Sequence, residues 1–199
     1  AATVADVERI DLPFPLFVKP LAEGSSMGVR VTSRVKDRAE LAREAQRCFT
    51  DYRQPVLIEA LLPGAEITVA VTGSGDSARL FGSMEIAPAQ GATEAFVYGL
   101  ESKRGYRELV RYHAPPHAIG RAQCMDAEQL ALKAYRLLGC RDIARVDLRF
   151  DAAGNAGFME VNPLPGLHPV TGDIIIMAGL LGIDHRGVIA TIIDAAVRR

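Results

Sequence analysis

The chain has 199 residues with 23 basic and 24 acidic side chains, a formal charge of −1, and it is 49% apolar and 24% charged. So large an apolar share excludes disorder as the main state, and the length suffices for one good core or two small ones. The charge balance speaks against partners held by surplus Lys and Arg, so neither nucleic acid nor a membrane surface is expected.

Three scattered cysteines, Cys48, Cys124 and Cys140, form no C-x-x-C pair and read as reduced thiols of a cytoplasmic protein. The longest apolar run, 174–181, is too short to cross a bilayer. The opening AATVADVERIDLP has no signal-peptide run, and without a Met it reads as a cut rather than a beginning.

In chain order, residues 15–19 (PLFVK) are the first expected strand, and residues 29–32 the second, after a Gly/Ser-rich turn at 23–28. Asp37 and Glu40 resemble a capping box for a helix whose apolar positions are Leu41, Ala45, Cys48 and Phe49. Residues 55–59 (PVLIE) and 66–72 (EITVAVT) read as strands around LLPGA, with another strand at 79–86. Residues 87–105 lack a period and read as a long loop, of the kind that serves as a functional lid.

A short strand is expected at 109–112. A helix capped by Asp126 follows, with Leu130, Ala134, Leu137 and Leu138 on one side and Gly139 at its end. Strands at 141–150 and 157–161 flank the turn DAAGNA, and helices at 173–181 and 186–198 close the chain. Strands and helices in runs indicate an α+β fold, with a boundary near 61–64 dividing a small first part, 1–60, from a larger body, 61–199.

The chemistry concentrates in one hairpin. In Arg145-Val146-Asp147-Leu148-Arg149-Phe150 the charged residues alternate with apolar ones, so Arg145, Asp147 and Arg149 share a face. In the returning strand Phe158, Glu160 and Asn162 share a face. Pairing Phe150 with Gly157 sets Asp147 opposite Glu160 and Arg145 opposite Asn162, and a one-residue slip would bury the charges. Two carboxylates across a ladder repel unless a positive charge lies between them. With an Asn amide oxygen they make a hard oxygen site for magnesium (or manganese), leaving positions for phosphate oxygens. Taken alone, the hairpin reads more readily as a solvated face on which Arg145 and Arg149 pair with the two acids. A hydrolase acid/base pair has no other support in the chain.

Lys19 ends a strand before Glu23-Gly24-Ser25-Ser26-Met27-Gly28, whose glycines let backbone N–H groups approach phosphate, although no Walker motif is present. Alone, this is an ordinary Gly-Ser turn. PVLIE offers an apolar wall for a base, with Glu59 and Glu66 as polar partners; alone, it is simply a strand.

The order of these pieces, with GCRDIARVDLRF, EVNPLPGL and EGSSMGV, resembles the ATP-grasp ligases, most closely the C-terminal two-thirds of D-alanine–D-alanine ligases, from about Pro13 onward. The resemblance implies an ATP-grasp α+β fold with mixed or antiparallel sheet, flanking helices and the family's N-terminal part missing. It implies that Lys19 contacts the α- and β-phosphates of ATP beneath the turn of Glu23, Gly24, Ser25, Ser26 and Gly28. Glu59 and the backbone of Ala60, Leu61 and Leu62 would meet adenine, and Glu66 the ribose. Asp147, Glu160 and Asn162 would hold magnesium.

The family phosphorylates one amino-acid carboxylate and lets a second amino acid's amine attack the acylphosphate, a step in peptidoglycan synthesis. Arg145 and the Gly166 N–H would stabilise the oxyanion, at ~3–4 kcal/mol per donor, with Ser25 beside them. Residues 87–105 would be the lid that excludes water. Lys103, Arg104 and Thr171 would face the second amino acid. There the D-alanine-specific pattern has a tyrosine at Arg104 and a serine at Thr171, which leaves that substrate open. Small amino acids are the implied partners, and a homodimer is compatible with the resemblance. The absent front implies a fragment, or one completed by a partner chain, that is not fully active alone. The alternative reading is a non-catalytic nucleotide-binding module.

Overall fold

The computed structural model describes residues 1–24, 26–91, 97, 106–115 and 118–198. Its elements are α1 (Val4–Glu8), β1 (Leu16–Pro20), β2 (Arg34–Val35), α2 (Arg38–Tyr52), β3 (Val56–Ala60), β4 (Glu66–Thr72) and β5 (Arg79–Pro88). They continue with α3 (Tyr106–Leu109), β6 (Val110–His113), α4 (Arg121–Leu137), β7 (Ile143–Phe150), β8 (Ala156–Asn162), α5 (Asp173–Leu180) and α6 (His185–Val197). The chain divides into two compact units, Ala1–Leu61 with Ala89–Val110, and Leu62–Pro88 with Arg111–Arg199.

The first unit carries an antiparallel sheet in the order β2-β1-β3. Alternation along β1 turns Leu16 and Val18 inward, where they meet Leu41, Ala45 and Cys48 of α2. The Asp37 carboxylate accepts from the Glu40 N–H and so starts α2. Glu40 reaches back one residue further than a capping box requires, to the Lys36 N–H at 2.9 Å. One expectation fails here. Residues 29–32 are not a strand: a 3₁₀ turn occupies Val31–Ser33, and only Arg34 and Val35 pair with β1. The N-terminal residues also hold α1, started by a Thr3–Asp6 capping box that the sequence reading passed over.

The second unit carries a five-stranded sheet in the order β6-β5-β4-β7-β8 among the described residues, in which β4 runs antiparallel to β5 and β7, and β7 antiparallel to β8. On one face Ile67, Val69, Val71, Val146, Leu148 and Phe150 pack against Cys124, Ala127, Ala131 and Tyr135 of α4. Helix α5 contacts β5, and Gly82 permits the approach: a Cβ there would lie 2.5 Å from Leu181 Cδ1.

Helix α4 begins five residues before the expected cap. Asp126 is exposed within the helix, and the buried stripe is Cys124, Ala127, Ala131 and Tyr135, while Leu137 and Leu138 face solvent. Its start is set by tertiary contact: Glu85 of β5 accepts from the Ala118 and Ile119 N–H groups, at 2.8 and 3.4 Å. Gly139, at φ +64°, ends it as expected.

The supposed loop at 87–105 starts with the last residues of β5, and 92–96 and 98–105 lie outside the described residues. The strand expected at 109–112 is Val110–His113, entered from the short α3. Among the described residues no single helix is long and apolar enough to cross a membrane.

Candidate functional site

In the β7–β8 hairpin Asp147 faces Glu160 and Arg145 faces Asn162, as the alternation of charge requires. The expected Phe150–Gly157 pair is not formed. Phe150 pairs with Ala156, Arg149 with Gly157 and Leu148 with Phe158, and the register shifts between Leu148 and Asp147. One extra residue, Met159, is accommodated there as a bulge. Phe158 therefore pairs with an inward-facing residue and does not continue the Glu160–Asn162 row.

Three side chains converge on Asp147, which is 9% exposed. Arg145 grips it with Nε, 2.9 Å from Oδ1, and a terminal nitrogen, 2.8 Å from Oδ2. The Thr68 hydroxyl, directly across on β4, donates to Oδ1. Asn162 Nδ2 donates to Asp147 Oδ2 at 3.2 Å and to Glu160 Oε1 at 3.3 Å. The other terminal nitrogen of Arg145 lies 2.6 Å from Asp173 Oδ2 at the start of α5. Burial works against the Arg145 charge, but Asp147 first, then Asp173 and Glu160, outweigh it, and the guanidinium holds its proton more tightly than usual.

That geometry decides whether the residues suit a divalent cation. One point, occupied by the Asn162 nitrogen, already lies within 3.3 Å of an oxygen from each of two carboxylates. Two carboxylates and an amide that can turn its oxygen inward are a hard donor set, and an incomplete one, as a cation that also carries phosphate requires. Among the described residues no three His, Cys, Asp or Glu side chains gather into a metal cage. The residues fit a shared ion better than a closed structural site.

Beside the hairpin, Glu66 is 7% exposed and lies 3.7 Å from Arg149, whose Nε donates to the Gly64 carbonyl at 3.1 Å. Residues 163–172 form a loop organised by His168, whose Nδ1 accepts from the Val170 and Thr171 N–H groups at 3.2 and 3.3 Å. An Nδ1 that accepts two N–H groups leaves the ring proton on Nε2. The Thr171 hydroxyl lies 3.1 Å from the same nitrogen, while Gly166 is exposed. Gly172 closes this loop. A Cβ there would fall on the Gly166 carbonyl oxygen, so Gly172→Ala is expected to cost about 1–3 kcal/mol in urea unfolding.

In the first unit, Lys19 on β1 pairs with Glu59 on β3 at 2.8 Å. Its turn is built by successive bonds, Met27 N–H to the Gly24 carbonyl and Val29 N–H to the Ser26 carbonyl. Glu23 accepts from Gln54 at 2.7 Å. Gly28 is buried at φ +80°, where a Cβ would lie 2.5 Å from Pro20 Cγ. Its carbonyl accepts from Arg47 of α2 at 2.8 Å, and Arg47 is itself held by Glu44. Ala60 is exposed at the end of β3, the Leu61 N–H donates to the Pro15 carbonyl at 3.2 Å, and Leu62 is half-buried. Ser25, Lys103 and Arg104 lie outside the described residues.

The sequence reading missed Thr68, Arg47 and Asp173. Thr68 was within reach, because it shares the Glu66 face of β4 by simple alternation. Arg47 and Asp173 carry no local signal.

The chain is 37% identical over 184 residues to the D-alanine--D-alanine ligase of Anaeromyxobacter sp. (strain Fw109-5), a match covering 90% of this chain and 54% of that protein. Its fold is similar to the crystal structure of VanG D-Ala:D-Ser ligase from Enterococcus faecalis, with a TM-score of 0.70 and 25% identity over 96% of this chain and 52% of the other. It is also similar to the D-alanine--D-alanine ligase from Bacillus anthracis complexed with ATP, with a TM-score of 0.70 and 24% identity over 100% of this chain and 58% of that one. The chain thus spans about half the length of the relatives it matches. The ATP-grasp expectation holds for the fold, and since the family model described as D-ala D-ala ligase C-terminus matches residues 2–194, the chain belongs to that family.

Proposed function

We propose that this chain supplies the nucleotide- and metal-handling part of an ATP-dependent carboxylate–amine ligase that joins small amino acids in the cytoplasm through an acylphosphate. The carrying observation is the Asn162 amide set between the Asp147 and Glu160 carboxylates, a two-acid oxygen site with positions left for phosphate. When bound, magnesium would clamp and polarise phosphate oxygens there.

The chain's own residues do the rest in this reading. Lys19 exchanges Glu59 for phosphate beneath a turn that Arg47 pins at Gly28. Glu59 and Glu66 are the polar partners of the base and ribose. The Arg145 guanidinium and the Gly166 N–H receive the oxyanion in this reading. Thr171, held by His168, faces the second amino acid. Arg104 and Thr171 stand where the D-alanine-specific pattern has tyrosine and serine, so the second substrate differs from D-alanine or is held differently. Because the relatives are about twice as long, the first amino acid's site is completed by residues outside this sequence.

Calorimetric titration with Mg–ATP tests the nucleotide half. Lys19→Met removes a charge-assisted phosphate contact of about 1.5–3 kcal/mol and should weaken binding about 10–100-fold. Unchanged affinity would remove Lys19 and its turn from the site.

A further inference from the structure

Asp147 has no spare capacity. Its Oδ1 accepts from Thr68 and from Arg145 Nε, and its Oδ2 accepts from the Arg145 terminal nitrogen and from Asn162. A carboxylate offers about four lone-pair directions, so any cation binding here must displace protein donors. Thr68 and Asn162 are neutral and can turn away. Arg145 is the difficult one. Its side chain is only 13% exposed, and a guanidinium released from its carboxylate in such a place is an uncompensated buried charge, which is strongly unfavourable.

The structure provides a second carboxylate for it. Asp173 Oδ2 lies 2.6 Å from the Arg145 nitrogen that Asp147 does not use, and Asp173 is itself 12% exposed. An acid in the first turn of a helix is ordinarily explained by the helix dipole. That explanation asks only for a position, and it does not account for a close ion pair with a strand residue 28 positions away.

We propose that Asp173 is a positioning residue that acts through Arg145. It holds the guanidinium when a divalent cation takes the Asp147 carboxylate, so the arginine stays in place, charged and compensated, instead of competing with the metal. The inference rests on the metal reading above. It extends that reading from the two acids on the hairpin to a third, on a different element, that touches the arginine and belongs to no metal cage.

Titration of the chain with Mn²⁺ alone, followed by electron paramagnetic resonance, separates the two ideas. Asp147→Asn should lose binding. Asp173→Asn should bind about tenfold more weakly, because Arg145 then stays on Asp147, and Asp173→Glu should recover most of the loss. In an Arg145→Met background the competitor is gone, and adding Asp173→Asn should shift affinity no more than about twofold, the remnant of a screened charge. A purely structural role for Asp173 would lower the melting temperature without this dependence on Arg145. Asp173→Ser repeats the measurement if the Asn variant does not fold, as judged by circular dichroism.

Wild-type affinity in Asp173→Asn, with binding lost in Asp147→Asn, would overturn the role of Asp173 and leave the metal site standing. A full tenfold loss that persists without Arg145 would also overturn it, since the charge would then act directly. Undiminished binding by Asp147→Asn would instead overturn the metal reading itself.

Discussion

Asp147→Asn is expected to weaken Mg²⁺ or Mn²⁺ binding by at least about 100-fold, more than the ~10–100-fold typical of changes to groups that only support a ligand. The substitution is nearly isosteric and leaves Arg145 its contact with Asp173, so the sheet should persist. Thermal unfolding gives the check. A cation that binds only the folded chain raises its melting temperature in proportion to the logarithm of its excess over Kd. Wild type should therefore be stabilised by millimolar Mn²⁺ and returned to baseline by EDTA, while Asp147→Asn should show neither response. Equal Mn²⁺ stabilisation of both proteins would mean that the hairpin does not hold the ion.

The second large effect concerns the core on which that hairpin rests. Tyr135 of α4 is fully buried, and its hydroxyl donates to the Gly73 carbonyl at 2.6 Å, just beyond β4. Tyr135→Ala should cost about 3–5 kcal/mol. Tyr135→Phe should cost about 0.5–1.5 kcal/mol, since it keeps the ring and the Gly73 carbonyl still accepts from the Asp142 N–H at 3.0 Å. Urea midpoints at constant slope give both values.

The pair also predicts a pH dependence. Burial, followed by Cys140 and Asp142, raises the phenol above its usual 10.0. A proton held more tightly in the folded state contributes stability that is complete below pH 10 and is lost as the pH climbs toward the raised value. Wild type should thus lose stability more steeply than Tyr135→Phe above pH 10, and parallel curves would show that the phenol is not perturbed by folding.

Most of the scaffold was legible because the relevant signals are short-range. Alternating charge set the Asp147–Glu160 and Arg145–Asn162 register, since a one-residue slip exchanges the two faces. The bulge was not legible: Phe158 and Met159 are adjacent apolar residues, so the pattern cannot tell which one is the insertion. The start of α4 was missed for a related reason. Gly120 offers no capping side chain, and the contact that fixes the entry comes from Glu85, 33 residues away. The same limit hid Asp173, whose meaning depends on a partner in another element. The role expected for the turn at 23–28 comes from the family pattern rather than from periodicity, because a Gly-Ser turn by itself is commonplace.

The irregular pairing in β8 has one more consequence. Among the described residues this strand lies at an end of its sheet, the position at which a second strand could align with it. A straight apolar border would invite stacking of one molecule on the next. The insertion at Met159 breaks the spacing of that border, and Glu160 adds a charge beside it. The same few residues that carry the proposed ion site therefore also make this border a poor template for a second strand.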